Sequence, residues 1–173
     1  MNDLQTGFRR EGKLYGLIVS LLIPTAAGTI SALLTSDARK QYHFMNKPPL
    51  SPPGWVFPVV WTVLYLMMGF ACYLVYRSNR EPWAKREALG LYALQLIMNF
   101  FWSILFFGHS LFLLAFWWLA ALWVLVLLCT VSFFRVSRTA GAMMIPYEAW
   151  LTFALYLNYA VYKLSITPMI LPR

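Results

Sequence analysis

Apolar residues along this chain come in long unbroken runs, not at the two- or 3.6-residue spacings of half-buried elements. Five runs, at 14–34, 55–76, 88–107, 111–134 and 142–164, reach the roughly 20 residues that cross a hydrocarbon core. Backbone polar groups in lipid need partners within the segment, so these runs predict helices. They are too long and too continuously apolar for barrel strands. The first run has the start of a signal peptide, Arg9-Arg10, and a cleavage-like Ala26-Ala27-Gly28. Its apolar character continues to Leu34 and four more runs follow, so the expectation is an uncleaved first helix. With no internal repeat, the reading is one domain over residues 1–173, an all-α membrane protein.

Composition agrees. Of 173 residues 61% are apolar and 12% charged, against about 25% charged in a soluble domain. The net charge of +8 does not point to nucleic acid, because the basic residues fall between the apolar runs. Nine Lys and Arg lie in the N-terminus, second loop and fourth loop, and five in the first loop, third loop and C-terminus. The positive-inside rule then puts the N-terminus inside and the C-terminus outside. Eight Trp, ten Tyr and thirteen Phe can anchor at interfaces or line a ligand pocket, and composition does not choose. Cys72 and Cys129 lie within runs and give neither a disulfide framework nor metal-ligand spacing.

The stretch KPPLSPPGWVFPVVWTVLYLMMG (47–69) crowds prolines against the second run. Pro52 and Pro53 sit at its entrance, where first-turn N–H groups have no helical partner and proline costs little. Pro48 and Pro49 stiffen the approach, and Pro58 falls early in the run, where it can bend it. A long, stiff first loop can fold over the bundle as a lid, or the prolines can simply stop the helix. On residues alone the two readings stand level.

Polar residues inside the runs are the candidate chemistry. Gln95, Asn99 and Trp102 share a face of the third helix at i, i+4 and i+7. They can hold helices together or aim at a ligand. Trp61 and Tyr65 share a face of the second helix, and Tyr147, Trp150, Ala154 and Asn158 one of the fifth. Facing one another, these rings and amides would make an apolar cleft with few polar contacts, the usual make-up of a small-molecule site. Helix packing accounts for the spacing equally well. Glu148, the only acid inside a run, is expected to be wet and structural. His43 and His109 lie in loops without a haem-attachment motif, and no metal site, nucleophile–base pair or carboxylate dyad is present. Gly28-x-x-x-Ala32 is a weak helix-contact signal.

The 47–69 stretch, LQLIMNFFWSILFFG (94–108) and IPYEAWLTFALYLNYAVYK (145–163), in that order, resemble the TspO family of bacterial tryptophan-rich sensory proteins and the mitochondrial translocator protein. The resemblance covers roughly residues 42–163. It implies a compact bundle of five transmembrane helices, often dimeric, with a ligand cavity closed by the first loop. Trp61, Asn99 and Trp150 match the family's cavity residues, and Ala154 a position where side-chain size affects binding. Tyr65, Gln95, Trp102 and Tyr147 join them on the facing surfaces. Tyr42, Lys47 and Pro48 fall in the lid region, where Leu50 replaces a tryptophan. Leu157, Tyr159 and Lys163 match a sterol-recognition pattern.

The implied function is a receptor or sensor for tetrapyrroles such as protoporphyrin IX or haem, and for sterols or benzodiazepine-type ligands. No cofactor is required; porphyrin or haem is ligand. The alternatives are light- and oxygen-dependent porphyrin degradation, in which Trp61 and Trp150 would take part, and translocation of tetrapyrrole or sterol. The expected setting is a bacterial inner or plasma membrane, with a homodimer the implied assembly and no nucleic-acid partner.

Overall fold

The computed structural model describes the backbone of residues 2–36 and 48–166, and side chains from residue 12 onward within them. Five helices follow one another: α1 (Asn2–Leu34), α2 (Val56–Arg77), α3 (Pro82–Ser103), α4 (Phe112–Val136) and α5 (Arg138–Ile166). They close into a ring in the order α1, α2, α5, α4, α3, and α3 returns to α1.

Among the described residues four helices are long and apolar enough to cross a membrane, with mean hydropathies of 2.1, 1.8, 1.6 and 2.5 for α1 to α4. The expected fifth span needs a qualification. At 29 residues α5 is the second longest helix, but Pro146, Glu148, Asn158 and a series of tyrosines lower its hydropathy. Two of its polar residues, Tyr147 and Asn158, are fully buried against the other helices. A helix that brings the bundle its internal polar groups scores as less apolar than one facing lipid.

The helix starts follow local chemistry. Pro52 and Pro53 precede α2, and the Val56 N–H donates to the Pro53 carbonyl at 2.9 Å. Pro58 is the third helical residue, where its missing N–H would have had no helical acceptor. Pro82 opens α3, six residues before the apolar run, so its first turns carry Lys85, Arg86 and Glu87. A single extended residue, Ser137, separates α4 from α5, and its Oγ accepts from the Ala140 N–H at 3.3 Å as an N-cap. After Ser103 the helix widens into a π turn, Ile104–Gly108, closed by the His109 N–H on the Ile104 carbonyl at 3.1 Å. Ser110 then turns the chain with φ 55°, giving the expected tight hairpin.

Two glycines set how closely α1 and α2 approach. Pro24 lies inside α1 and deprives the Ser20 carbonyl of its helical donor. That carbonyl faces Gly69 of α2, where a Cβ would lie 2.6 Å from the oxygen. A glycine Cα–H against the freed carbonyl is the contact that suits this position. Gly28 faces the Tyr65 ring. The small-residue signal is therefore half right: Gly28 is a contact, whereas Ala32 is exposed.

Candidate functional site

The eight tryptophans sort into three groups. Trp55, Trp83 and Trp117 are exposed on the outside of the bundle. Trp55 and Trp83 flank the two ends of α2, whose 22 residues span roughly 33 Å, close to the ~30 Å hydrocarbon thickness. They occupy the positions of interfacial anchors. Trp102, Trp118 and Trp123 are staples between helices. Their indole N–H groups donate to Asn158 Oδ1 at 3.2 Å, the Met98 carbonyl at 2.8 Å and Thr152 Oγ1 at 2.9 Å. Only Trp61 and Trp150 are half-buried with no indole hydrogen bond among the described residues.

Trp61 is the hub of the interior. Its ring stacks on Tyr65 at 5.4 Å, meets the edge of Tyr147 at 6.1 Å and lies 6.5 Å from Trp102. Gln95 and Asn99 enter the same space from α3, both buried. Six of the eight expected residues are therefore together: Trp61, Tyr65, Gln95, Asn99, Trp102 and Tyr147. Trp150 belongs to a neighbouring group, edge-on to Phe57 at 5.9 Å and beside Phe153 at 5.6 Å. Phe57 is one turn before Trp61 on α2, so the two groups adjoin. Ala154 is buried one turn beyond Trp150, and its small side chain takes little of the space there.

The polar groups are held unequally. Asn158 accepts from Trp102 and donates through Nδ2 to the Phe112 carbonyl at 2.8 Å, pinning α3, α5 and the start of α4. Its position on the Tyr147–Trp150–Ala154 face was visible in the sequence; its role as the partner of Trp102 was not. Tyr147 donates to Gln95 Oε1 at 3.1 Å. The Gln95 amide nitrogen reaches only the Met68 sulfur, at 3.9 Å, a weak acceptor. Asn99 Nδ2 reaches the Tyr65 hydroxyl at 3.5 Å, the outer limit of a hydrogen bond. A ligand acceptor could replace either of these two contacts at small cost.

Other expected positions fall differently. Pro48 is buried, while Tyr42 and Lys47 lie outside the described residues. The loop is tied to α5 by the Tyr156 hydroxyl, which donates to the Pro49 carbonyl at 2.9 Å. Leu50, read in the sequence as replacing a lid tryptophan, is exposed and offers no inward contact. Of the sterol pattern, Leu157 faces inward, whereas Tyr159 is exposed with the Lys163 ammonium 5.6 Å from its ring centre. Glu148 corrects the expectation of a wet acid: both carboxylate oxygens are shielded from solvent and have no hydrogen-bond partner among the described residues.

The sequence of this chain has clear counterparts among known proteins. The TspO/MBR family model matches residues 20–164. The chain belongs to the TspO/MBR family. It is 38% identical to the tryptophan-rich protein TspO of Chlorobaculum tepidum over 78% of this chain and 85% of that one. It is 35% identical to the tryptophan-rich sensory protein of Cereibacter sphaeroides, over 81% and 85% of the two chains. The human translocator protein is 34% identical over 77% of this chain and 79% of its own. Like those TspO/MBR relatives the chain is a membrane protein, and its family match takes in every residue of the aromatic interior.

Proposed function

We propose that this TspO/MBR protein is a membrane receptor that binds a flat tetrapyrrole between its helices, beneath the first loop. The carrying observation is the contrast at the centre: Trp61 has no indole hydrogen bond among the described residues, and the nearby amide nitrogens of Gln95 and Asn99 have only long contacts. A porphyrin face would stack on Trp61, with Tyr65 and Tyr147 turning aside. The amides would hold its polar edge, and Trp150 with Phe57 would wall the adjoining space. Apolar burial with ring stacking worth about 8 kcal/mol corresponds to micromolar affinity. The names of the relatives, a sensory protein and a translocator, favour a ligand-responsive role. The proposed setting is a bacterial inner or plasma membrane as a homodimer. The basic connections α2–α3 and α4–α5 would face the cytoplasm, with the N-terminus on that side.

The test is titration of the purified protein with protoporphyrin IX, read by tryptophan quenching and pigment absorbance, in the dark and then in light. Wild type runs beside Trp61→Phe, Asn99→Ala and Trp150→Phe. Saturable binding weakened most by the first two, with an unchanged pigment spectrum in light, supports the receptor. A new spectrum formed only in light and only with both tryptophans intact would replace this reading with porphyrin degradation. Binding indifferent to all three substitutions would place the pigment outside the bundle.

A further inference from the structure

A concavity lies on the outside of the bundle, where α2 ends and α3 begins. It has a volume of about 510 Å³ and is lined by Tyr76, Pro82, Lys85, Arg86, Leu89 and Gly90. Its rim is basic. The segment 76–90 carries Arg77, Arg80, Lys85 and Arg86 against Glu81 and Glu87. The Lys85 ammonium donates to the Ser78 carbonyl at 3.2 Å and keeps two further hydrogens. The Arg77 guanidinium sits 5.5 Å from the Tyr73 ring centre, and Arg86 makes no ion pair among the described residues. Glu87 follows Arg86 by 100° around α3, away from the face made by Pro82, Lys85, Leu89 and Gly90.

The floor is apolar and continues along the helix. A Cβ at Gly90 would meet nothing within 4 Å. Ala93 and Ile97 follow on the same face at i+3 and i+7, both exposed. Exposed Trp83, one residue into α3, marks this end as the level of the lipid headgroups. Basic residues at headgroup level thus border a shallow apolar channel, open at Gly90, on the exposed face of α3 that leads toward the hydrocarbon region.

We propose that this groove is a binding site for one anionic phospholipid, with its phosphate between Lys85 and Arg86 and an acyl chain along Gly90 and Ala93. Charge complementarity selects an anionic headgroup, because the two charged residues that line the groove, Lys85 and Arg86, are both basic. A soluble phosphate would use the rim and leave the channel unused. A zwitterionic lipid would gain the channel without the net attraction.

The test is lipid retention by the full-length protein, purified from mixed phosphatidylglycerol and phosphatidylcholine nanodiscs and read by native mass spectrometry. Wild type is compared with Lys85→Gln/Arg86→Gln, with Gly90→Leu, and with Arg135→Gln/Arg138→Gln. The last pair removes the same charge from the same end of the bundle, away from the groove. Circular dichroism checks that each variant is folded. The expected result is preferential retention of phosphatidylglycerol by the wild type. It should fall about thirtyfold in the first variant, the scale of two basic side chains at an anionic surface. It should fall several-fold in Gly90→Leu and be unchanged in the control pair. Equal loss in the control pair would reduce the effect to general electrostatics and overturn the site. Full retention in Gly90→Leu would remove the channel from it, and displacement by inorganic phosphate would overturn the choice of a lipid. No preference for phosphatidylglycerol in the wild type would overturn the proposal outright.

Discussion

The two ends of one polar face on α3 behave differently. Asn99 and Trp102 lie three residues apart and are both buried. Trp102 is fixed by Asn158, which is itself fixed by the Phe112 carbonyl, with contacts of 3.2 and 2.8 Å. The amide nitrogens of Asn99 and, one turn before it, Gln95 reach partners only at 3.5 and 3.9 Å, although the Gln95 oxygen accepts from Tyr147 at 3.1 Å. Short bonds between three helices set the geometry of the bundle; long bonds one turn away leave donors for something else. A shared face in sequence therefore conceals a division between a fastening and a site.

The sharpest way to break that division is at its strong end. Asn158→Leu strands the buried Trp102 N–H and takes from the Phe112 carbonyl its donor outside the helix, leaving it the helical one. At 1–3 kcal/mol for the unsatisfied group and about 1 kcal/mol for the second lost bond, the expected loss is about 3 kcal/mol. It would be read as a fall in thermal midpoint in detergent. Porphyrin affinity of the fraction that remains folded should change little. If affinity collapses while stability holds, Asn158 belongs to the site.

The next largest effect comes from outside the polar face. Gly28→Val places a side chain where the Tyr65 ring now packs. Overpacking of this kind costs typically 1–3 kcal/mol, so about 2 kcal/mol is expected. Because Tyr65 holds both Trp61 and Asn99, binding should fall further than stability predicts. The measurement is thermal unfolding and porphyrin titration on the same preparation. A loss of stability with intact binding would show that Tyr65 moves without consequence for Trp61.

Asn99→Ala sharpens the weak end. Its bond to Tyr65 is long, so the stability cost should match the mean interhelical bond in a membrane, about 0.6 kcal/mol. Porphyrin affinity should fall about tenfold, equivalent to about 1.4 kcal/mol. A stability loss as large as that of Asn158→Leu would make Asn99 a second fastening and empty the comparison of content.

Much of this was legible in the sequence, and for physical reasons. Span-length apolar runs leave helices as the only economical structure, so α1 to α4 could be placed by length alone. The α3 face followed from helical spacing, and the proline-rich entrance of α2 from the donors proline lacks. Other features depend on partners far along the chain. Nothing local distinguishes Trp102 from Trp61, because the difference is Asn158, 56 residues beyond Trp102. The meeting of Ser20 with Gly69 needs Pro24 on one helix and a glycine on another. The π turn at Ile104–Gly108 inserts a residue into a pattern that reads as ordinary helix. Hydropathy understates α5 because Tyr147 and Asn158, two of the residues that lower it, are turned inward.

The smallest expected effect concerns the loop that adjoins the site. Leu50 has φ 67°, a left-handed conformation that costs a non-glycine residue roughly 1–2 kcal/mol. It is 78% exposed, so its side chain recovers little by packing. The turn is closed by Ser51, whose N–H and Oγ reach the Pro48 carbonyl at 3.2 and 2.8 Å, and is tied to α5 through Tyr156. Leu50→Gly removes the strain but adds backbone freedom to the unfolded chain, worth roughly 0.5–1 kcal/mol. The balance is a gain of about 0.5 kcal/mol, visible as a small rise in thermal midpoint. Tyr156→Phe, which cuts the tie while leaving the turn, should shift the midpoint the other way. A fall with Leu50→Gly would mean that Leu50 gains more from lipid or a second copy of the chain than its backbone loses. The loop would then be held from outside, not by α5.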